Sequence, residues 1–261
     1  MVPTFVQVSG GRTSGYMANL LKGKPDHTFM FQNTGRERPE TYDFLDRMDK
    51  EWGLNLLWLE YSCPDPKQAA GFNIVSYETA NRTGVPFSQL NDKRRAIPNK
   101  HKRFCTIEMK VKTARRYIRS LGLTKWNYYV GYRADEDRNL RSDTMQTAIA
   151  PLKDAGITIR EVSAFWKANS FDLKLLMMPS GKTFGGNCMG CFWHSEYQNA
   201  HLCKNNPEQV KWLIEEEKKH GHTFNDEYSF EELTKTVKDA PEFVWDEKDA
   251  LCQETNGSCG V

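Results

Sequence analysis

The chain has 261 residues, 39% of them hydrophobic and 12% aromatic, which excludes a disordered chain and leaves a sizeable core in one large or two small domains. Its 18 Gly and 11 Pro exclude a collagen-like or linker composition, and no apolar run is long enough to span a bilayer, so no membrane partner is expected. The formal net charge of +2 conceals a polarity: eleven Lys/Arg stand against Glu108 alone between Lys93 and Arg119, whereas fourteen acids stand against six bases from Asn206 onward.

Phe5 to Val8 is a short apolar, β-branched run that stops at Ser9-Gly10-Gly11, and a helical pattern follows through Tyr16, Met17, Leu20 and Leu21. Thr28 to Gln32 reads as a second strand. Pro39 to Trp52 reads as a helix, with Pro39 in its first turn and Phe44, Leu45 and Met48 on one face. Leu54 to Tyr61 reads as a third strand. Strands separated by helices of this length predict parallel pairing through right-handed crossovers. Residues 62–104, with four prolines, read as irregular. Cys105 to Leu121 reads as a helix, Asn127 to Tyr132 as a strand, and Ile157 to Val162 as a further strand. Ser195 to His220 is strongly helical with a break near Asn205-Asn206-Pro207, and the acidic tail after Pro241 reads as mobile. The expected fold class is α/β, an open parallel sheet with helices on both faces, over residues 1–165. A helical C-terminal region carrying a metal-binding cysteine cluster is expected over residues 166–261.

Ser9-Gly10-Gly11-Arg12-Thr13-Ser14 falls between the first strand and the first helix. Glycines let backbone N–H groups approach an anion, and a helix N-terminus adds partial positive charge. The Ser9 and Ser14 hydroxyls can donate to phosphate oxygens. An ordinary strand-to-helix turn has the same look, and the segment is neither a P-loop nor a three-glycine dinucleotide fingerprint. It resembles the SGGxxS loop of the ATP-pyrophosphatase (PP-loop) superfamily, which grips pyrophosphate.

Three further stretches resemble the phosphoadenosine phosphosulfate reductase-like branch of that superfamily. Asn33-Thr34-Gly35-Arg36-Glu37-Arg38-Pro39-Glu40-Thr41 is similar to its D/N-T-G-x-x-x-P-E-T segment. Arg103-Phe104-Cys105-Thr106 with Lys110 is similar to R-x-C-T-x-x-x-K. Gly131-Tyr132-Arg133-Ala134-Asp135-Glu136-Asp137-Arg138 is similar to G-x-R-A-D-E-x-x-R. The resemblance implies an adenine nucleotide, ATP or a relative, held by residues 9–14, Asn33, Thr34, Gly35, Glu37, Gly131, Arg133 and Arg138. Ser9, Asn33 and Gly131 all stand at strand ends, where an open α/β sheet forms its ligand crevice. Lys110, Arg133 and Arg138 can offset phosphate charge. Asp135 or Glu136 can orient an arginine or bind Mg²⁺. A surface salt-bridge cluster is the plainer reading of the arginines.

Cys188-Met189-Gly190-Cys191 can present two thiolates to one metal, and one pair cannot complete a site. The resemblance points to Cys105 as a third ligand of a [4Fe–4S] cluster. For the fourth, Cys252 is preferred, with Cys259 also in the tail. Cys203 reads as a buried helix-face residue and Cys63 as a bystander. A zinc site or a redox pair are the alternatives, and His194, His201, His220 and His222 could supply zinc ligands. Seven cysteines without a recognisable export signal favour reduced thiols and a cytoplasmic location.

The resemblance implies one of two reactions. ATP can adenylate an acceptor, with Lys110, Arg133 and Asp135 at the reacting phosphates, before sulfur displaces AMP. The acceptor would be DNA or tRNA, to which the basic stretch could bind, and the sulfur donor a partner such as a cysteine desulfurase. Alternatively, phosphoadenosine phosphosulfate is reduced to sulfite by a tail cysteine. Cys259-Gly260 matches that motif in part, with Ser258 in place of its Glu and no following His. A nucleotide-binding regulatory module is a third reading. A homodimer is also compatible with the sequence.

Overall fold

A computed structural model describes residues 2–178 and 182–238. Among the described residues six strands form one sheet: β1 (Thr4–Gln7), β2 (His27–Asn33), β3 (Leu57–Ser62), β4 (Gly71–Val75), β5 (Trp126–Tyr129) and β6 (Gln146–Ile149), in the order β4-β3-β2-β1-β5-β6. Every pair is parallel except β3 with β4, so the sheet is mixed and mostly parallel. The central strand β1 is buried at all four positions, as a parallel strand covered on both faces must be.

Side chains alternate between the two faces along each strand. Val6, Phe29, Phe31 and Trp58 pack with α1 (Arg12–Leu21), α2 (Pro39–Trp52) and α6 (Ile159–Ala168). Phe5, Met30 and Leu59 pack on the other face with Ala114 and Ile118 of α4 (Thr113–Ser120). A third apolar cluster joins α7 (Glu196–Asn205), α8 (Pro207–His220) and α9 (Phe230–Val237) to Ile97, Met189 and Phe192. Among the described residues no helix is long and apolar enough to cross a membrane.

Three expectations are corrected. Residues 62–104 are not irregular throughout: they hold β4 and α3 (Val85–Arg94), and β4 runs antiparallel where parallel pairing was expected. The direct return from β3 to its neighbour leaves no crossover helix, which is what permits that direction. The expected strand at Ile157–Val162 is the start of α6. Thr158 and Glu161 form a capping box there, and Val162 and Trp166 recur at helical spacing on its buried side. The last strand is the four-residue β6. The break at Asn205–Pro207 is real and separates α7 from α8.

The helix expected from Cys105 continues to Ser120, but Thr106–Lys112 is wound as a π-helix. The short helix α5 (Pro151–Asp154) follows β6. Trp166 links the second layer to the glycine loop: its Nε1 donates to the Arg12 carbonyl at 2.8 Å, and its ring packs on Phe44, Trp52 and Phe171. Trp166→Ala should cost about 3–5 kcal/mol, read as a lower urea midpoint with little change in slope. Trp166→Phe should cost distinctly less, because it keeps most of the packing.

Candidate nucleotide and thiol site

The glycine loop leaves β1 and enters α1 through Gly10, whose φ of +81° favours glycine and whose Cα faces Thr41 so closely that a Cβ would lie 2.4 Å from Cγ2. Ser14 staples the loop. Its Oγ accepts the Ser9 N–H at 3.0 Å, lies 3.0 Å from Ser9 Oγ and donates to the Gly11 carbonyl at 3.0 Å. The first turn of α1 leaves backbone N–H groups without intrahelical acceptors, which makes this end an anion site in chemistry. Gly131, just past β5, packs against Ser14, where a Cβ would meet Ser14 Cα at 3.1 Å.

Arg12, Arg133 and Arg138 have partners within the protein. Arg12 pairs with Asp172 at 3.0 Å. Arg133 is buried, pairs with Asp135 and Glu136 at 2.8 Å each, and donates from Nη1 to Thr13 Oγ1 at 3.2 Å. Asp135 and Glu136 are thereby engaged with Arg133. Arg138 lies over the Tyr132 ring, 5.3 Å from its centroid.

Asn33, Thr34, Gly35 and Glu37 form a buried turn that binds itself. Asn33 Nδ2 donates to Glu60 Oε1 at 2.6 Å and to the Asn81 carbonyl at 2.7 Å, while its Oδ1 accepts from Gly35 N and Tyr42 OH. Glu37 accepts from Thr34 Oγ1 at 2.7 Å and Thr34 N at 3.0 Å. Sequence reasoning assigned Asn33 and Glu37 to the ligand. The structure places them as the frame of the turn, and Thr34 on a cavity wall.

That cavity, of about 70 Å³, brings Cys105, Cys188, Cys191 and Lys110 together among Phe87, Phe192 and Trp212. The π winding matters here. An α-helix turns about 100° per residue, so positions five apart diverge by about 140°. A π-helix closes its hydrogen bonds five residues on and brings Cys105 and Lys110 towards one face. Burial, and then the neighbouring Cys191, pushes the Cys105 thiol up to about 11. Burial pushes Cys188 up to about 12. Burial disfavours the Lys110 cation, yet Cys188, Glu37, Cys105 and Cys191 together raise its pKa.

The cysteine segment reaches this place by docking on the 33–38 turn. Glu37 and Cys188 form an antiparallel bridge, the Arg38 N–H donates to the Asn187 carbonyl at 2.8 Å, and the Met189 N–H donates to the Arg36 carbonyl at 2.8 Å. Asn187 Nδ2 donates to the Ser9 carbonyl at 3.0 Å. Sequence reasoning passed over Asn187, whose only signal is its place directly before the first cysteine of the pair.

Among the described residues no group of three or more His, Cys, Asp or Glu is arranged to hold a metal, and Cys252, the expected fourth ligand, lies with Cys259 outside the described residues. Cys203 is buried on α7, and Cys63 is buried with its Sγ donating to the Asp65 carbonyl at 3.3 Å. Part of the basic stretch is paired: Glu108 receives Arg94, Lys112 and Arg116, and Lys93 donates to the Pro66 and Gln68 carbonyls.

Residues 3–152 match the family model of the phosphoadenosine phosphosulfate reductase domain. The chain belongs to this family. Among its relatives is the uncharacterized nin region protein ORF290 of Escherichia phage lambda, 29% identical over 208 residues, or 76% of this chain and 69% of the phage protein. Among solved structures, phosphoadenylyl-sulfate reductase from Candida auris, a phosphate complex, aligns with a TM-score of 0.43 and 18% identity over 66% of this chain and 75% of that one. The family match spans the glycine loop, the 33–38 turn, Cys105, Lys110 and Arg133, whereas the Cys188–Cys191 pair lies beyond it.

His194 follows the cysteine pair and is 1% exposed. Burial, and then the charge of Arg38, lowers its pKa from 6.5 to about 3. It is neutral in both folded and unfolded chains above pH 6.5, so its contribution is complete there. Below that, the unfolded chain takes up a proton that the fold refuses, and stability falls by about 1.4 kcal/mol per pH unit towards pH 3. Urea titrations at pH 7 and pH 5 should therefore show a larger loss for the wild type than for His194→Gln, by about 2 kcal/mol. Equal losses would refute the assignment.

Proposed function

We propose that the protein activates an acceptor with ATP for sulfur transfer. An acceptor oxygen attacks the α-phosphorus, the bond to the bridging oxygen breaks, and pyrophosphate leaves with the electron pair. A sulfur nucleophile then displaces AMP from the adenylated acceptor. The observation that carries this reading is the meeting of the glycine loop, the 33–38 turn, Lys110 and the thiol cavity at one end of the sheet. The N–H groups of residues 10–14 would hold the leaving pyrophosphate, and Lys110 would add a positive charge as negative charge develops there. Arg133, held by Asp135 and Glu136, would position Thr13 and with it the loop. Magnesium would travel with the nucleotide phosphates. DNA or tRNA would be the acceptor, and a separate enzyme such as a cysteine desulfurase would supply sulfur.

Family membership supports a second reading, the reduction of phosphoadenosine phosphosulfate. There a thiolate attacks the sulfonyl sulfur, adenosine 3′,5′-bisphosphate leaves, and a dithiol releases sulfite while becoming a disulfide. The raised pKa values of Cys105 and Cys188 make these two poor nucleophiles for that step at neutral pH.

Anaerobic incubation with ATP, with and without DNA or tRNA, should release pyrophosphate, and one nucleic acid should raise the rate. Lys110→Ala should lower that rate at least tenfold, a loss of about 1.4 kcal/mol of transition-state stabilisation, and Ser9→Ala should lower it as well. Sulfite from phosphoadenosine phosphosulfate and a dithiol, with no pyrophosphate from ATP, would replace the first reading by the second.

A further inference from the structure

The arginines around the glycine loop differ in one respect. Arg12 has Asp172, Arg133 has Asp135 and Glu136, and Arg36 donates from Nη2 to the Gln209 carbonyl at 2.6 Å while stacking on Trp212. Arg38 has no such neighbour: among the described residues its guanidinium makes no ion pair and no hydrogen bond, and its Nε is buried without a partner. Glu40 acts on it only through its field.

The surroundings do not supply the missing charge. The guanidinium lies in front of Gly185, where a Cβ would come within 2.6 Å of Nη2. His194 and His201 lie in its field and are both held towards the neutral form, by burial first and Arg38 second. His194 Nε2 is itself buried without a partner. Two residues beyond Gly185, Asn187 touches the glycine loop: its Nδ2 donates to the Ser9 carbonyl, and a Cβ on Gly11 would meet that nitrogen at 3.3 Å. A largely buried cation with no ion-pair or hydrogen-bond partner among the described residues is costly, and one placed beside a loop suited to phosphate is suited to a second anion.

We propose that Arg38, facing Gly185 beside the glycine loop, forms a second anion subsite that takes the terminal tetrahedral anion of the bound nucleotide. This rests on the nucleotide reading above. The terminal anion is a phosphoryl group in ATP and a sulfonyl group in phosphoadenosine phosphosulfate, and the shared chemistry is a tetrahedral oxyanion that accepts charge-assisted hydrogen bonds.

Calorimetric titration of wild type, Arg38→Ala and Arg38→Lys with two nucleotide pairs tests it. ATP is compared with AMP, and phosphoadenosine phosphosulfate with adenosine 3′,5′-bisphosphate. Arg38→Ala should weaken the member that carries the terminal anion at least tenfold in one pair, leave its truncated partner within about twofold, and be partly rescued by Arg38→Lys. A loss confined to the ATP pair identifies a phosphoryl site, and one confined to the other pair a sulfonyl site. Equal losses for both members of each pair, or no loss in either pair, would overturn the subsite while the nucleotide reading stands. Wild type that binds none of the four would overturn both.

Discussion

Asn187 ties three distant parts of the chain at one point. Its side chain donates to Ser9 in the glycine loop, its carbonyl accepts from Arg38 at the start of α2, and its neighbours Cys188 and Met189 pair with Glu37 and Arg36. The docking is made by backbone groups of residues 36–38 and 187–189, so it fixes the path of the cysteine segment independently of most side chains. Partly buried hydrogen bonds of this kind are stronger than exposed ones and costly to leave unmade. Without them, Cys188 and Cys191 would belong to a loop after Gly185 and Gly186 and would not line a cavity with Cys105 and Lys110. The helical C-terminal core stands on the same strap, because Met189 and Phe192 belong to its apolar cluster.

The site is built as a set of internally satisfied turns. Ser14 closes the glycine loop on itself, Glu37 closes the 33–37 turn, and Arg133 closes the segment after β5 while reaching Thr13. Such turns are already shaped before a ligand arrives, which is the condition for electrostatic stabilisation without reorganisation. It also divides the motif residues into two kinds. Asn33, Glu37, Asp135 and Glu136 spend their polar atoms on the protein, whereas the first-turn N–H groups of α1, Lys110 and Arg38 are the groups that the proposed reading would use to meet a ligand.

Most of the layered core was legible in the sequence because it is written in hydrophobic period. The runs at Phe5–Val8, Thr28–Gln32 and Leu54–Tyr61 and the helix after Pro39 all stand within a few residues of their expected bounds. Three features were not legible, for separate reasons. The edge strand β4 has exposed and half-buried positions that give little apolar signal, and its pairing comes from β3. The π winding at Thr106–Lys112 leaves no mark in composition, yet it decides that Cys105 and Lys110 face together. Ile157–Val162 carries β-branched residues that read as a strand until the Thr158–Glu161 capping box is taken into account. Motif resemblance pointed to the candidate site but not to the division of labour within it: Arg38 sits inside a recognised stretch, and only the absence of an ion-pair or hydrogen-bond partner among the described residues distinguishes it from Arg36 and Arg133.

Charge follows the same division between sequence and fold. The stretch from Lys93 to Arg119 reads as a strongly basic strip, but Glu108 gathers three of its cations. Burial works against the charge of Glu108, yet Lys112 and Arg94 keep its carboxyl below the usual carboxylate range. Arg115 is paired with Asp143. Arg94 and Lys112 are also exposed by nearly half, where salt screens charges over about 10 Å. The positive charge that acts at close range is instead on Lys110 and Arg38, one against the thiol cavity and one beside the glycine loop. Charges in that setting are poorly screened and act over hydrogen-bond distances. On the proposed reading, recognition at this end of the sheet would be set by a small anion held at short range, and any nucleic-acid acceptor would add its own, more salt-sensitive contacts through the exposed cations of the 95–103 loop, such as Arg95 and Lys102.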